Sequence, residues 1–350
     1  MYLIVSNFLV ESRVIMGDPV DSLFSRSLVI DGLTSYHLLR DLGCEGEGCE
    51  SYPLEDFSIL KPVAGVDIGS VTVSSTVDKL ERSYAFITSN PTGMVIETGA
   101  DIERAVAARK FGVIFYAQKH YPMGGSVDAI AGWKQKGLRI VQLAYNAGID
   151  PDNATPEEML AGGSDQPDQG LTDLGRAAVR ELNRLNMLVD VSHCSRPSVL
   201  EAVELSTAPV LANHTNALAL TDSRRNKSDE ELQAIARTGG VVGVTLVKWM
   251  LDRDGDGRAG IDDFIAHVDY IVDRIGIDHV GFASDSYLNG WETSSRHYAD
   301  ADLGAMDRWK RVVRRLVEIR TSDGGRKYSD VDLQKLLGMN FLRVYREVLD

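Results

Sequence analysis

Eight short runs rich in apolar and β-branched residues recur along this chain, and helical patterns fill most of the intervals between them. That alternation restricts the fold more than any other feature. The runs are "SLVIDG" (27–32), "AGVDIG" (64–69), "FGVIFYAQ" (111–118), "LRIVQLAY" (138–145), "MLVDVSH" (187–193), "APVLANH" (208–214), "GVVGVTLV" (240–247) and "HVGFASD" (279–285). They are almost continuously hydrophobic, as expected of parallel strands covered on both faces. Between them, "GLTDLGRAAVRELNRLN" sets Leu174, Ala178, Leu182 and Leu185 on one helical stripe. "RPSVLEAVELS" opens with a proline in the first turn, where a missing N–H costs nothing. "SDEELQAIARTGG" carries a Ser228…Glu231 capping box and stops at Gly239-Gly240.

A chain of 350 residues can form two average domains or one large α/β barrel. No break in composition divides it, so the pattern predicts a single (β/α)8 TIM barrel spanning 27–350, preceded by an extension and first helix over 1–26. Two further helices are expected over 301–350, the second capped at Ser329, closing over the barrel. Active sites of such barrels form at the C-terminal ends of the strands. The polar residues at those ends are Gln118, His120, Tyr145, His193, His214 and Asp285. Two histidines and an aspartate at one end suggest a site more than mere strand termination.

The net charge of −14 argues against nucleic-acid or anionic-membrane partners, which need a positive footprint, and favours a small-molecule substrate. The opening "MYLIVSNFLV" lacks a basic flank and a cleavage signal, so it reads as neither signal peptide nor membrane span, and Met16 is an alternative start. Cys44 and Cys49, in "GCEGEGCE", could pair; without an export signal a reduced cytoplasmic pair fits better, and no further ligand completes a structural zinc site.

The segments "GLTDLGRAAVRELNRLNMLVDVSHCS", "APVLANHTNALAL", "RRNKSDEELQAIARTGGVVGV", "HVDYIVDRIGIDHVGFASD" and "LLGMNFLRV" resemble, in this order, those of the renal or membrane dipeptidases, zinc metallopeptidases with amidohydrolase-like barrels. The resemblance runs from "LVIDG" to the C-terminus. It implies two zinc ions sharing a glutamate and a water. One ion is held by His-x-Asp after the first strand, the other by two histidines that correspond to His193 and His214.

The first half of that centre is missing. Where the family has Asp-Gly-His-x-Asp this chain reads "DGLTS", so Leu33 and Ser35 replace both ligands. Gln118, in "AQKH", replaces the bridging glutamate and offers no charge. The first zinc site is expected to be empty. The second keeps His193 and His214, with Gln118 as a weak third ligand; His120, two residues on, either joins them or caps the strand. His37, His267, His279 and His297 read as structural. By resemblance, Arg225 holds a substrate carboxylate, Asp285 serves proton transfer, and Tyr145 stands where the family has a histidine beside the scissile carbonyl.

The expectation is a dipeptidase-like hydrolase of a small dipeptide- or amide-like carboxylate with one zinc ion, and a homodimer by analogy. Two alternatives stay open: another, metal-free reaction on a small carboxylate, or a non-catalytic binding protein. Separately, "DRDGDGRAGIDD" (252–263) imitates a calcium loop. The incoming segment reads as strand rather than helix and position eight is Ala259, so a solvated acidic loop is expected.

Overall fold

The computed structural model describes residues 18–34, 57–73, 77–118, 126–147, 159–286 and 299–350. Ser35, His37, Cys44, Cys49, His120, His297 and the opening up to Met16 lie outside the described residues.

The expected runs become strands β1 (Ile30–Thr34), β2 (Ile68–Thr72), β4 (Phe111–Ala117), β5 (Leu138–Gln142), β6 (Leu188–Asp190), β7 (Val210–Thr215), β8 (Val241–Thr245) and β9 (Val280–Ala283). All pair in parallel in the order β1-β2-β4-β5-β6-β7-β8-β9. A parallel bridge from Thr34 to Ser286 brings the two edges together. The result is a nearly closed eight-stranded barrel wrapped by helices, the expected (β/α)8 architecture.

Boundaries moved furthest in two places. Residues 64–67 belong to a helical turn over Leu60–Ala64 and a Gly65 at φ 76°, so β2 begins only at Ile68. The run 187–193 yields just three strand residues, because Asp190 accepts the Ser192 N–H (2.9 Å) and turns the chain. His193 therefore sits in a turn, whereas His214 is on β7 itself. A short strand, β3 (Gly93–Val95), was not foreseen; it pairs with Phe111–Val113 at the start of β4, while the end of β4 pairs with β5.

The barrel interior is filled from below. Ile30, Leu33, Ile68, Ile114, Tyr116, Ile140, Leu188 and Leu211 form one buried cluster with Phe341, Val344 and Tyr345 of the final helix, Asn340–Leu349. The aromatic ring of Phe341 lies where a Cβ on Gly32 or Gly281 would stand. Asn340 donates to the carbonyls of Ile277 and Val280 (both 2.7 Å), and Arg343 to that of Gly239 (2.7 Å), all near the N-terminal ends of β8 and β9. The C-terminal helices thus close the N-terminal end of the barrel, leaving the strand C-termini for chemistry. The predicted cap at Ser329 is present, its hydroxyl and the Asp332 carboxylate closing a capping box.

Candidate active site

Above the apolar cluster the barrel interior turns polar. The Tyr116 hydroxyl donates to Gln142 Oε1 (2.5 Å) and Asp190 Oδ1 (3.2 Å). Asp190 also accepts the N–H groups of Ser192 (2.9 Å) and Asn213 (2.8 Å) and the Ser192 hydroxyl (3.1 Å). These contacts tie β4, β5, β6 and β7 together directly below the histidines. Burial pushes the Asp190 carboxyl above its ordinary range and keeps the Tyr116 phenol firmly protonated.

On this platform the two imidazoles meet. His193 Nε2 lies 2.8 Å from His214 Nε2, and Gln118 Nε2 lies 3.3 Å from each. Their outer ring nitrogens are also engaged: His193 Nδ1 with Asn146 Oδ1 (2.6 Å), His214 Nδ1 with Asn213 Oδ1 (2.5 Å). Tyr145 stacks on His193 with ring centroids 4.3 Å apart at 20°, at the edge of the cluster. Burial, aided by the nearby Arg225 and Lys227 cations, holds His214 well below the usual imidazole pKa, so it stays neutral and free to act as a ligand.

The anionic side of the mouth is built from β1 and β9. Asp285 follows β9 in the left-handed region (φ 47°), its N–H donating to the Leu33 carbonyl (2.8 Å). Desolvation, with Asp31 adding repulsion and Arg225 opposing, pushes its carboxyl up to about 7. Asp31, wholly buried beside Ser284, is pushed up to about 6 by desolvation. Arg225, 4 % exposed, donates to the Ser192 carbonyl and faces the charges of Asp285 and Asp190. Leu33 is fully buried in the apolar cluster and supplies no donor atom.

The donor set can be tested against a metal ion by its chemistry alone. Two imine nitrogens and one amide oxygen suit a single borderline cation such as Zn²⁺. They do not suit two, since among the described residues no carboxylate approaches the imidazole pair closely enough to bridge. Among the described residues, the only three His, Cys, Asp or Glu groups close enough to share an ion are Asp252, Asp254 and Asp256 of the acidic loop.

That loop differs from its expected context. A one-turn helix, Lys248–Leu251, separates it from β8, and Ala259 is buried rather than a missing anchor. Its carboxylates are occupied: Asp252 accepts the N–H groups of Gly255 and Gly257, and Asp263 caps the next helix at Gly260 and pairs with Arg253 (2.8 Å).

The sequence profile of the membrane dipeptidases (peptidase family M19) matches residues 57–350. The chain belongs to that family. Among curated relatives, dipeptidase tcpJ of Claviceps purpurea (strain 20.1) is 29% identical over 256 residues, 71% of this chain and 54% of that one. An uncharacterized dipeptidase, C965.12, of Schizosaccharomyces pombe (strain 972 / ATCC 24843) is 31% identical over 222 residues, 63% of this chain and 49% of that one. The chain thus spans about half the length of the curated relatives it matches. An amidohydrolase from Pseudomonas aeruginosa shares the fold at a TM-score of 0.78 and 24% identity, covering 94% of this chain and 99% of that one. So does a metallopeptidase from Rhodobacter sphaeroides liganded with a phosphinate mimic of the dipeptide L-Ala-D-Ala, at 0.72 and 20%, covering 92% and 99%. These likenesses show that the chain has the fold of that family.

Of the residues singled out from sequence, Gln118, Tyr145, His193 and His214 come together, and Asp285 and Arg225 face each other beside them. His267 and His279 are structural, as expected. His267 accepts the Ala217 N–H (3.1 Å), and His279 Nδ1 meets the Gly240 carbonyl (2.9 Å). Sequence reasoning missed Asn146 and Asn213, each adjacent to a residue it had chosen. It also missed Asp31, a charged residue inside an apolar strand. No helix among the described residues is long and apolar enough to cross a membrane.

Proposed function

We propose that this membrane dipeptidase family member is a hydrolase of small dipeptide- or amide-like carboxylates that works with one divalent cation, zinc, held by His193, His214 and Gln118. The observation that carries the proposal is the convergence of the two imidazole Nε2 atoms at 2.8 Å with Gln118 3.3 Å from both, while the Leu33 side chain, buried in the apolar cluster, offers no donor atom. A divalent cation held there would supply Lewis acidity toward a carbonyl and ease deprotonation of water.

The chain's own groups do the rest. Arg225 offers a planar fork to the substrate carboxylate. Asp285, with a carboxyl near neutrality, takes and returns a proton. The Tyr145 hydroxyl donates to the developing oxyanion. His120 remains a candidate fourth ligand. The substrate class is supported by the dipeptide mimic in the Rhodobacter sphaeroides relative. We place the protein in the cytoplasm as a homodimer, which fractionation and sedimentation check.

Metal analysis of protein purified without added zinc, paired with a dipeptide panel that includes L-Ala-D-Ala, tests the reading. One equivalent of metal, lost with activity in His214→Ala, supports it. Two equivalents, or turnover that persists in His214→Ala, sinks it. A metal-free protein without turnover points to a binding role instead.

A further inference from the structure

We infer that Asn146 and Asn213 are positioning residues that lock both imidazoles in the Nδ1-protonated tautomer, so that two bare Nε2 lone pairs face each other across the barrel mouth. This rests on the proposed cation site and assigns what prepares it.

The orientation of the Asn213 amide is fixed by its own partners. Its Nδ2 donates to the Gly32 carbonyl (3.0 Å), which leaves Oδ1 facing His214 Nδ1 (2.5 Å) and the Ser192 hydroxyl (3.2 Å). A carbonyl oxygen carries no hydrogen, so the proton of that bond belongs to His214 Nδ1. Nε2 then keeps its lone pair.

For His193 the geometry puts an asparagine oxygen in the same place, held by the Ser164 hydroxyl rather than by a backbone carbonyl. Asn146 Oδ1 accepts from Nδ1 at 2.6 Å and from the Ser164 hydroxyl at 3.3 Å. Asn146 follows Tyr145, whose ring stacks on His193, so one loop fixes the imidazole both in plane and in tilt. Asn213 lies on β7 and Asn146 follows β5, so the two rings are held from different strands.

Two bare lone pairs 2.8 Å apart repel unless something electropositive lies near them. The Gln118 amide, 3.3 Å from both, meets that need with its two N–H hydrogens. A flip of the same amide would present its oxygen instead. A glutamate at this position has no hydrogen to offer when ionised. The glutamine that weakens the site as a ligand thus keeps it assembled without a cation. The combination forms a neutral, prearranged, nitrogen-rich seat rather than one that a metal must organise.

The test uses full-length protein labelled with ¹⁵N-histidine and stripped of metal, with signals assigned by their loss in His193→Gln and His214→Gln. Long-range ¹H–¹⁵N correlation spectra are expected to show protonated Nδ1 and bare Nε2 for both residues. A protonated Nε2 at either one overturns the inference. In Asn146→Leu the His193 pattern should become a tautomer mixture, and Co²⁺ affinity should fall on the order of 10–100-fold, as for other outer partners of ligating histidines. Asn146→Asp, which keeps an acceptor oxygen, should restore both. Asn213→Leu should act likewise on His214; if it fails to fold, the Asn146 pair suffices. An unchanged ring pattern in a folded Asn146→Leu overturns the assignment. Absence of Co²⁺ binding in the parent protein overturns the proposed function instead, and the ring-nitrogen pattern still decides the tautomers.

Discussion

At the scale of single residues, the site depends on side chains held against their intrinsic preference. Asp285 adopts a left-handed backbone that non-glycine residues rarely take, stabilised by its N–H bond to Leu33. Its burial raises the carboxyl to about 7, where it can exchange a proton under ordinary conditions. Asp285→Asn is expected to lower kcat roughly 10²–10⁴-fold and to abolish the rise of activity through neutral pH, read from a pH–rate profile. Arg225→Lys keeps the charge but loses the fork. It should raise KM for carboxylate substrates on the order of tenfold while leaving an uncharged amide substrate little affected, because one bidentate bond is replaced by a point charge. The asparagines beside the two histidines went unread in the sequence because Asn is common at strand ends. Only distances of 2.6 and 2.5 Å to the ring nitrogens give them a role.

At the scale of elements, the helices were legible by their caps and stripes, and the strands by their apolar runs. Short strands were less so: β3 has three residues and no room for a pattern. The final helix shows what one element contributes. Phe341 is fully buried against Gly32 and Gly281, which accept its ring only because they lack a Cβ. Phe341→Ala should cost about 3–5 kcal/mol of stability, measured by urea unfolding, with kcat of the folded fraction unchanged since the ring lies at the opposite end of the barrel from the site. The acidic loop 252–263 resembles a cation loop in spelling, yet Asp263 is committed to its helix cap and to Arg253. Millimolar calcium is accordingly expected to leave the melting temperature unchanged; a rise of several degrees refutes this.

At the scale of the whole molecule, buried groups of opposite kind oppose each other in acid. Asp285 and Asp31 have folded pKa values of about 7 and about 6, above the ordinary carboxyl value, so their stabilising contribution is present at low pH and is lost as pH rises toward 7. His267, lowered to about 4 by burial, contributes above its ordinary value of 6.5 and loses that contribution as pH falls toward 4. The stability of Asp285→Asn relative to the parent should therefore grow between pH 4 and pH 7 and level off above, by urea midpoints at fixed ionic strength. A difference independent of pH excludes the buried-carboxylate account.

By itself the sequence determined the barrel, the strand ends at which its polar residues gather, and the lack of a donor atom on the Leu33 side chain and of charge on Gln118. Strand periodicity, helix caps and the chemical identity of Leu33 and Gln118 are local properties, readable without coordinates. The tertiary structure alone decided which polar groups touch. The His193–His214 approach and the Asn146 partner of His193 join residues far apart in the chain, and the burial of the Asp285 and Asp31 carboxyls is set by their surroundings. Such distances and local dielectrics exist only once the barrel closes.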